Sequence, residues 1–254
     1  MMRVAETELL HAPGEGTPLM LLHGIGSDAE SWRAAFPAGR AAYAWNAPGY
    51  GGSAPLAEPL PAPADYAARL LAVLDGLGLA RVVLVGHSLG CLFAGAFARA
   101  HPERVALLGL MSPALGYGLP RGAELPPGAQ SRIDDIHALG PAAMAEKRAA
   151  RLVHQVAALE GVRRAMSALK LGGYVQAVHA LAQGDLLADA RHLTLPVRLA
   201  IGAQDVITPP RNAERVRDAL PLPAPLALIA ECGHALPQEQ PARAARLLRE
   251  WCDV

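Results

Sequence analysis

Six short segments of this chain are apolar almost without interruption: "TPLMLLH" at 17–23, "AAYAWN" at 41–46, "RVVLVGH" at 81–87, "VALLGLM" at 105–111, "PVRLAIG" at 196–202 and "PLALIAE" at 225–231. A strand with one face in water alternates apolar and polar residues, whereas a strand covered on both faces does not. These runs therefore predict strands buried on both sides. Helical patterns lie between them. Residues 64–78 set Tyr66, Leu70, Leu71, Val73 and Leu74 at helical spacing, with Asp65 placed to cap the start and Gly76 and Gly78 to end it. Residues 88–101 are nearly apolar all round and predict a central helix. Residues 211–220 and 241–252 are amphipathic, the second opened by a proline in its first turn. Strands alternating with helices predict an α/β fold, a mostly parallel sheet with helices on both faces. Residues 3–10 predict one further edge strand.

The alternation stops between Pro113 and His192. "GYGLPRGAELPPG" at 116–128 reads as a Gly/Pro-rich linker, and helical patterns follow at 130–138, 141–159, 161–170 and 173–188. Residues 1–112 and 193–254 are then the expected α/β core, and 113–192 a helical insertion. An insertion at this point is expected to lie over the strand ends as a lid. The alternative is a small helical domain with no bearing on any site.

The strand at 81–87 runs straight into "GHSLG" and a helix. So sharp a turn needs small residues on both flanks, which Gly86 and Gly90 supply. Ser88 is left at the tip, over the crevice at the carboxyl end of the sheet. This is the G-x-S-x-G nucleophile elbow in its strand–turn–helix context; the bland alternative is a serine capping an ordinary helix. The positive end of that helix favours negative charge, so the N–H of Leu89 is a candidate oxyanion donor. "LLHGIGS" at 21–27 leaves its own strand through a glycine turn, and the N–H of Ile25 is the candidate second donor.

A serine hydroxyl needs a base with a pKa near working pH, which points to histidine. Of nine histidines, His234 alone follows the last predicted strand, in "ECGHALPQ". The imidazole in turn needs an acid to hold its tautomer. Asp205 follows strand 196–202 in "AIGAQDVITPP". It also suits an Asx turn or helix cap before Pro209 and Pro210. Asp185 and Asp189 are rivals in chain order but follow no strand. Ser88, Asp205 and His234 give the order Ser…Asp…His, each beyond a different strand.

With "HGIGS" at 23–27, "APGYGGS" at 47–53, "GHSLG" at 86–90, "GAQDVITP" at 202–209 and "GHALPQEQP" at 233–241, the chain resembles the α/β-hydrolase fold over nearly its whole length. It is similar to the bacterial branch of carboxylesterases, enol-lactone hydrolases and C–C bond hydrolases of aromatic degradation. The resemblance implies a lid at 113–192. Many relatives carry aspartate where Asn46 stands, and the C–C hydrolases usually have asparagine where His87 precedes the nucleophile. The second departure favours ester or lactone cleavage.

The expected reaction is hydrolysis of a carboxylic ester or lactone of a small, largely apolar molecule through an acyl-enzyme, with no metal or organic cofactor. C–C bond hydrolysis by the same residues and ligand binding without catalysis are the alternatives. In the insertion, Leu115, Tyr117, Met144, Met166 and Tyr174 are candidates for an acyl pocket, or simply core. Arg151, Arg163 and Arg164 either meet an anionic substrate or lie on solvated helix faces. Lys plus Arg and Asp plus Glu number 23 each, so the net charge is zero and gives no argument for nucleic acid as a partner. No run approaches the roughly 18 apolar residues of a membrane span, and the first residues lack a signal-peptide pattern. Three cysteines, Cys91, Cys232 and Cys252, fit no zinc spacing and are expected to be reduced thiols in a cytoplasmic protein. Oligomeric state is not legible.

Overall fold

The computed structural model describes residues 1–253. Its strands are β1 (Met2–Val4), β2 (Thr7–Ala12), β3 (Glu15–Leu22), β4 (Arg40–Trp45), β5 (Val82–His87), β6 (Val105–Met111), β7 (Val197–Gly202) and β8 (Leu226–Ile229). They form one eight-stranded sheet in the order β1-β2-β4-β3-β5-β6-β7-β8. The six apolar segments are the strands from β4 to β8 across that sheet, and all of them pair in parallel. β2 joins β4 antiparallel, and β1 joins β2 antiparallel.

The helices are α1 (Pro63–Gly76), α2 (Gly90–Ala100), α3 (Pro127–Arg148), α4 (Leu159–Ser167), α5 (Leu171–Gln183), α6 (Leu186–Ala190), α7 (Pro210–Ala219), α8 (Leu236–Glu239) and α9 (Pro241–Cys252). The uninterrupted apolarity of the strands is divided between two cores. Met20, Leu22, Leu84 and Leu108 face one, with α1, α2 and α7. Leu19, Leu21, Val83 and Val85 face the other, with α9 and Trp32. Successive side chains of a strand point to opposite faces, so burial on both faces removes the polar alternation. Asp65 does cap α1, its carboxylate accepting the Ala62 N–H at 2.7 Å.

Three expectations need correction. The single edge strand at 3–10 is a hairpin, β1 and β2, with Val4 paired to Thr7 across a two-residue turn. Ala5 and Glu6 both take positive φ there (44° and 59°). That turn is normally announced by Asn-Gly, and Ala-Glu gives no such signal. The helix expected at 141–159 ends at Arg148, while its expected separation from its predecessor stands, because Gly140 leaves helical geometry (φ 71°, ψ 170°) just before Pro141; two short 3-10 turns follow, Ala149–Leu152 and Val156–Ala158. The helix expected at 173–188 breaks after Gln183, where Asp185 caps α6 by accepting the Ala188 N–H at 2.9 Å.

Residues 112–196, between β6 and β7, add no strand to the sheet. No helix among the described residues is long and apolar enough to cross a membrane.

Candidate active site

β5 ends at His87 and α2 begins at Gly90, so the chain reverses within two residues. A Cβ on Gly86 would stand 2.4 Å from the Gly90 carbonyl oxygen, and one on Gly90 2.3 Å from that of Leu22. Neither position has room for a side chain. Ser88 takes φ 54°, a left-handed conformation unfavourable for serine. Its N–H donates to the Met111 carbonyl at 2.9 Å, and its carbonyl accepts from Cys91 at 3.0 Å, so the strained residue is held on both sides.

From this tip a line of hydrogen bonds runs inward. The Ser88 hydroxyl lies 3.0 Å from His234 Nε2, and His234 Nδ1 lies 2.9 Å from Asp205 Oδ2. All three residues are buried. With its Nδ1–H donated to the carboxylate, the imidazole presents Nε2 as an acceptor to the serine. Asp205 Oδ1 accepts the N–H groups of Ile207 and Thr208, each at 2.9 Å. One carboxylate therefore both makes the Asx turn and bonds His234, which were alternatives in the sequence. Burial pushes the Asp205 carboxyl up, but the His234 hydrogen bond and charge and the two N–H donors outweigh it and hold the group below its ordinary value. The Thr208 hydroxyl sits 2.9 Å from Asp205 Oδ2 and 3.2 Å from His234 Nδ1, a contact that no sequence signal announced. Asp185 and Asp189 lie elsewhere, one capping α6 and the other 3.0 Å from Arg99.

His234 is also held through its backbone. Its N–H donates to the Leu152 carbonyl at 3.0 Å. Its own carbonyl lies 2.7 Å from His87 Nε2. Only an N–H can donate to a carbonyl, so His87 carries its proton on Nε2. Burial first, then the neighbouring His234, pushes His87 down to about 3, which keeps it neutral.

Ile25 and Leu89 line the same cavity as Ser88. Among the described residues, neither N–H makes an intramolecular hydrogen bond. His23 aims the first of them. Its Nε2 accepts the Ala47 N–H at 3.0 Å, which leaves Nδ1–H to donate to the Gly24 carbonyl at 2.7 Å. In a trans peptide the carbonyl and the following N–H point in opposite directions. Holding the Gly24 carbonyl therefore turns the Ile25 N–H the other way. Tyr50 fixes the next peptide, its hydroxyl donating to the Ile25 carbonyl at 2.8 Å. Sequence reasoning missed these roles of His23, His87 and Tyr50.

The cavity has a volume of about 430 Å³. Of the candidate pocket residues, Leu115, Tyr117, Met166 and Tyr174 line it, while Met144 is buried in the core. Arg151 lines it with Arg132 and Arg148, and no Asp or Glu is among the lining residues. Arg163 and Arg164 instead pair with Glu146 and Asp28. Cys91 is buried inside α2, where burial raises its thiol far above the ordinary range.

A sequence profile of the family described as alpha/beta hydrolase fold matches residues 17–241. The chain is 29% identical over 88% of its length to the dihydrolipoyllysine-residue acetyltransferase component of an acetoin cleaving system from Pseudomonas putida, of which it spans only 60%. It is 28% identical to the 2-hydroxymuconate semialdehyde hydrolase of Pseudomonas putida, covering 95% of this chain and 89% of that one. Among solved structures, a thermophilic esterase from Thermogutta terrifontis superposes with a TM-score of 0.86 at 25% identity, over 97% of this chain and 93% of that one.

Proposed function

The chain belongs to the α/β-hydrolase fold family, and from that premise we propose that it is a serine hydrolase cleaving a carboxylic ester or lactone of a small molecule. The observation that carries this reading is the unbroken line Ser88–His234–Asp205, with contacts of 3.0 Å and 2.9 Å, beside the cavity. His234 takes the hydroxyl proton as Ser88 Oγ attacks the carbonyl carbon. Asp205 stabilises the imidazolium that forms. The free N–H groups of Ile25 and Leu89 receive the charge on the carbonyl oxygen. His234 then returns the proton to the leaving alkoxide, and water, deprotonated by the same imidazole, releases the acid. The helices between β6 and β7 act as a lid, supplying much of the cavity wall.

The test is a fluorophosphonate probe with peptide mapping, followed by an acyl-length series of p-nitrophenyl esters. Label is expected on Ser88 and absent from Ser88→Ala, whose ester turnover falls by about 10⁴-fold or more. Label on another serine would overturn the assignment. Stoichiometric label on Ser88 without turnover of any ester would instead favour a binding protein.

A second reading, C–C bond hydrolysis, draws on the likeness to the semialdehyde hydrolase and on the three arginines lining a cavity without a carboxylate. Ring-cleavage dienoates carry a carboxylate that such arginines suit. Rates on a short aryl ester and on a ring-cleavage dienoate, measured side by side, separate the two.

A further inference from the structure

Glu239 lies on α8, just beyond the loop that carries His234, and is buried. Its carboxylate serves two separate parts of the chain. Oε1 accepts the N–H groups of Gly233 at 3.0 Å and Ala235 at 3.1 Å, the two neighbours of His234. Oε2 accepts the N–H groups of His154 at 2.6 Å and Gln155 at 2.8 Å, in the insertion between β6 and β7. Further bonds join the same two segments. The Leu152 carbonyl accepts from both His234 and Ala235 at 3.0 Å, and the Gln155 side-chain amide donates to the Glu231 carbonyl at 2.7 Å. They meet so closely that a Cβ on Gly233 would lie 2.7 Å from the His154 nitrogen.

Burying a carboxylate is costly, and no cation pairs with Glu239 among the described residues. Four N–H donors to a charged acceptor offset that cost. The oxygens are divided, one to each segment, so no neutral side chain can accept from both sides equally well. We infer that Glu239 is a positioning residue for His234: by clasping residues 154–155 of the insertion to the histidine loop, it sets the imidazole at its distance from Ser88. This rests on His234 acting as the base. A misplacement of about 1 Å at a reacting group can cost on the order of 10²-fold in rate, so a slackened clasp is read in kcat.

The experiment uses the full chain and p-nitrophenyl butyrate. Glu239→Gln keeps the shape of the side chain, accepts from one segment and turns an NH₂ group against the donors of the other. Its kcat is expected to fall at least about tenfold with KM within about twofold, after correction for the folded fraction seen in thermal unfolding. Fluorophosphonate labelling of Ser88 slows by a similar factor. Gln155→Pro removes one backbone donor to Oε2 together with the side-chain bond to the Glu231 carbonyl, both of them ties between the insertion and the histidine loop, and its kcat falls too. The double variant loses less than the product of the two single losses, because both variants break the bond from Gln155 to Oε2. Unchanged kcat in folded Glu239→Gln, or losses that simply multiply in the double variant, overturn the inference. Glu239→Asp, which keeps the charge but cannot span both segments, replaces Glu239→Gln should that variant not fold. The downfield proton resonance of His234 Nδ1–H gives a readout independent of turnover. Should the wild-type chain cleave no ester, a resonance that moves in Glu239→Gln upholds the clasp while the hydrolase reading falls, and a resonance that stays put sinks the clasp.

Discussion

Asn46 uses both ends of its amide. Its Nδ2 donates to Glu8 Oε2 at 2.6 Å, and its Oδ1 accepts the Ala29 N–H at 2.9 Å. Asn46→Asp would set two carboxylates together, and a loss of about 1–3 kcal/mol in urea unfolding is expected; adding Glu8→Gln restores most of it by supplying a donor. Asp205→Asn keeps the shape of the acid but reverses its hydrogen bond to His234, and kcat is expected to fall on the order of 10⁴-fold. His87 carries a pH dependence whose sign can be worked out. Folded, it titrates at about 3; unfolded, it titrates near 6.5. Below that value the unfolded chain binds a proton that the folded chain refuses. The stability owed to neutral His87 is thus complete above about 6.5 and is lost as the pH falls toward 3. Burial lowers His23 as well, with the same sign. His87→Gln keeps a donor for the His234 carbonyl and removes the titration, so its Tm should decline less steeply than the wild type's on acidification. The proposed site residues Ser88, Asp205 and His234 were legible because each lies just beyond a strand end. His23 and His87 were not, because each bonds a backbone group that folding brings to it from a distant part of the sequence or from a turn.

Among the elements, strained residues gather where the sheet meets the site. Five non-glycine residues have positive φ among those described. Two make the β1–β2 turn; the others, Ser88, Ser112 and Glu231, directly follow or lie just beyond the carboxyl ends of β5, β6 and β8. The hairpin turn has no functional reason for its strain, so Ala5→Asn, a residue that tolerates positive φ, should raise unfolding stability by about 0.5–1 kcal/mol. The elbow behaves in the opposite way. Gly90→Ala drives a methyl against the Leu22 carbonyl, and a loss of about 2 kcal/mol or more is expected in chemical denaturation. The six parallel strands were legible from apolar runs, since burial on two faces leaves a local mark. Of the breaks in the insertion helices, the one at Gly140 was legible and those after Arg148 and Gln183 were not: Gly184 marks the last, but glycine alone does not say whether a helix stops or continues.

Over the whole molecule the charges balance, yet the cavity has three arginines and no carboxylate among its lining residues. Arg148 is neutralised by Asp135, whereas Arg132 and Arg151 have no ion-pair partner among the described residues. An ester whose acyl chain ends in a carboxylate should therefore exceed its neutral isostere in kcat/KM at low salt, with the advantage shrinking as salt screens the field. Equal values at every ionic strength would show that the arginine charges are spent on solvent. The chain's own order of residues determined the parallel sheet, the tight turn at Ser88 and the candidates for the proposed base and acid, because strand burial, tight turns and nucleophile chemistry leave marks within a few neighbouring residues. Only the tertiary structure decided which distant groups complete the site: the Ala47 N–H that orients His23, His87 on the His234 carbonyl, Glu239 between two segments, and arginines facing the cavity. Each of those contacts is a distance between parts of the chain that no local pattern encodes.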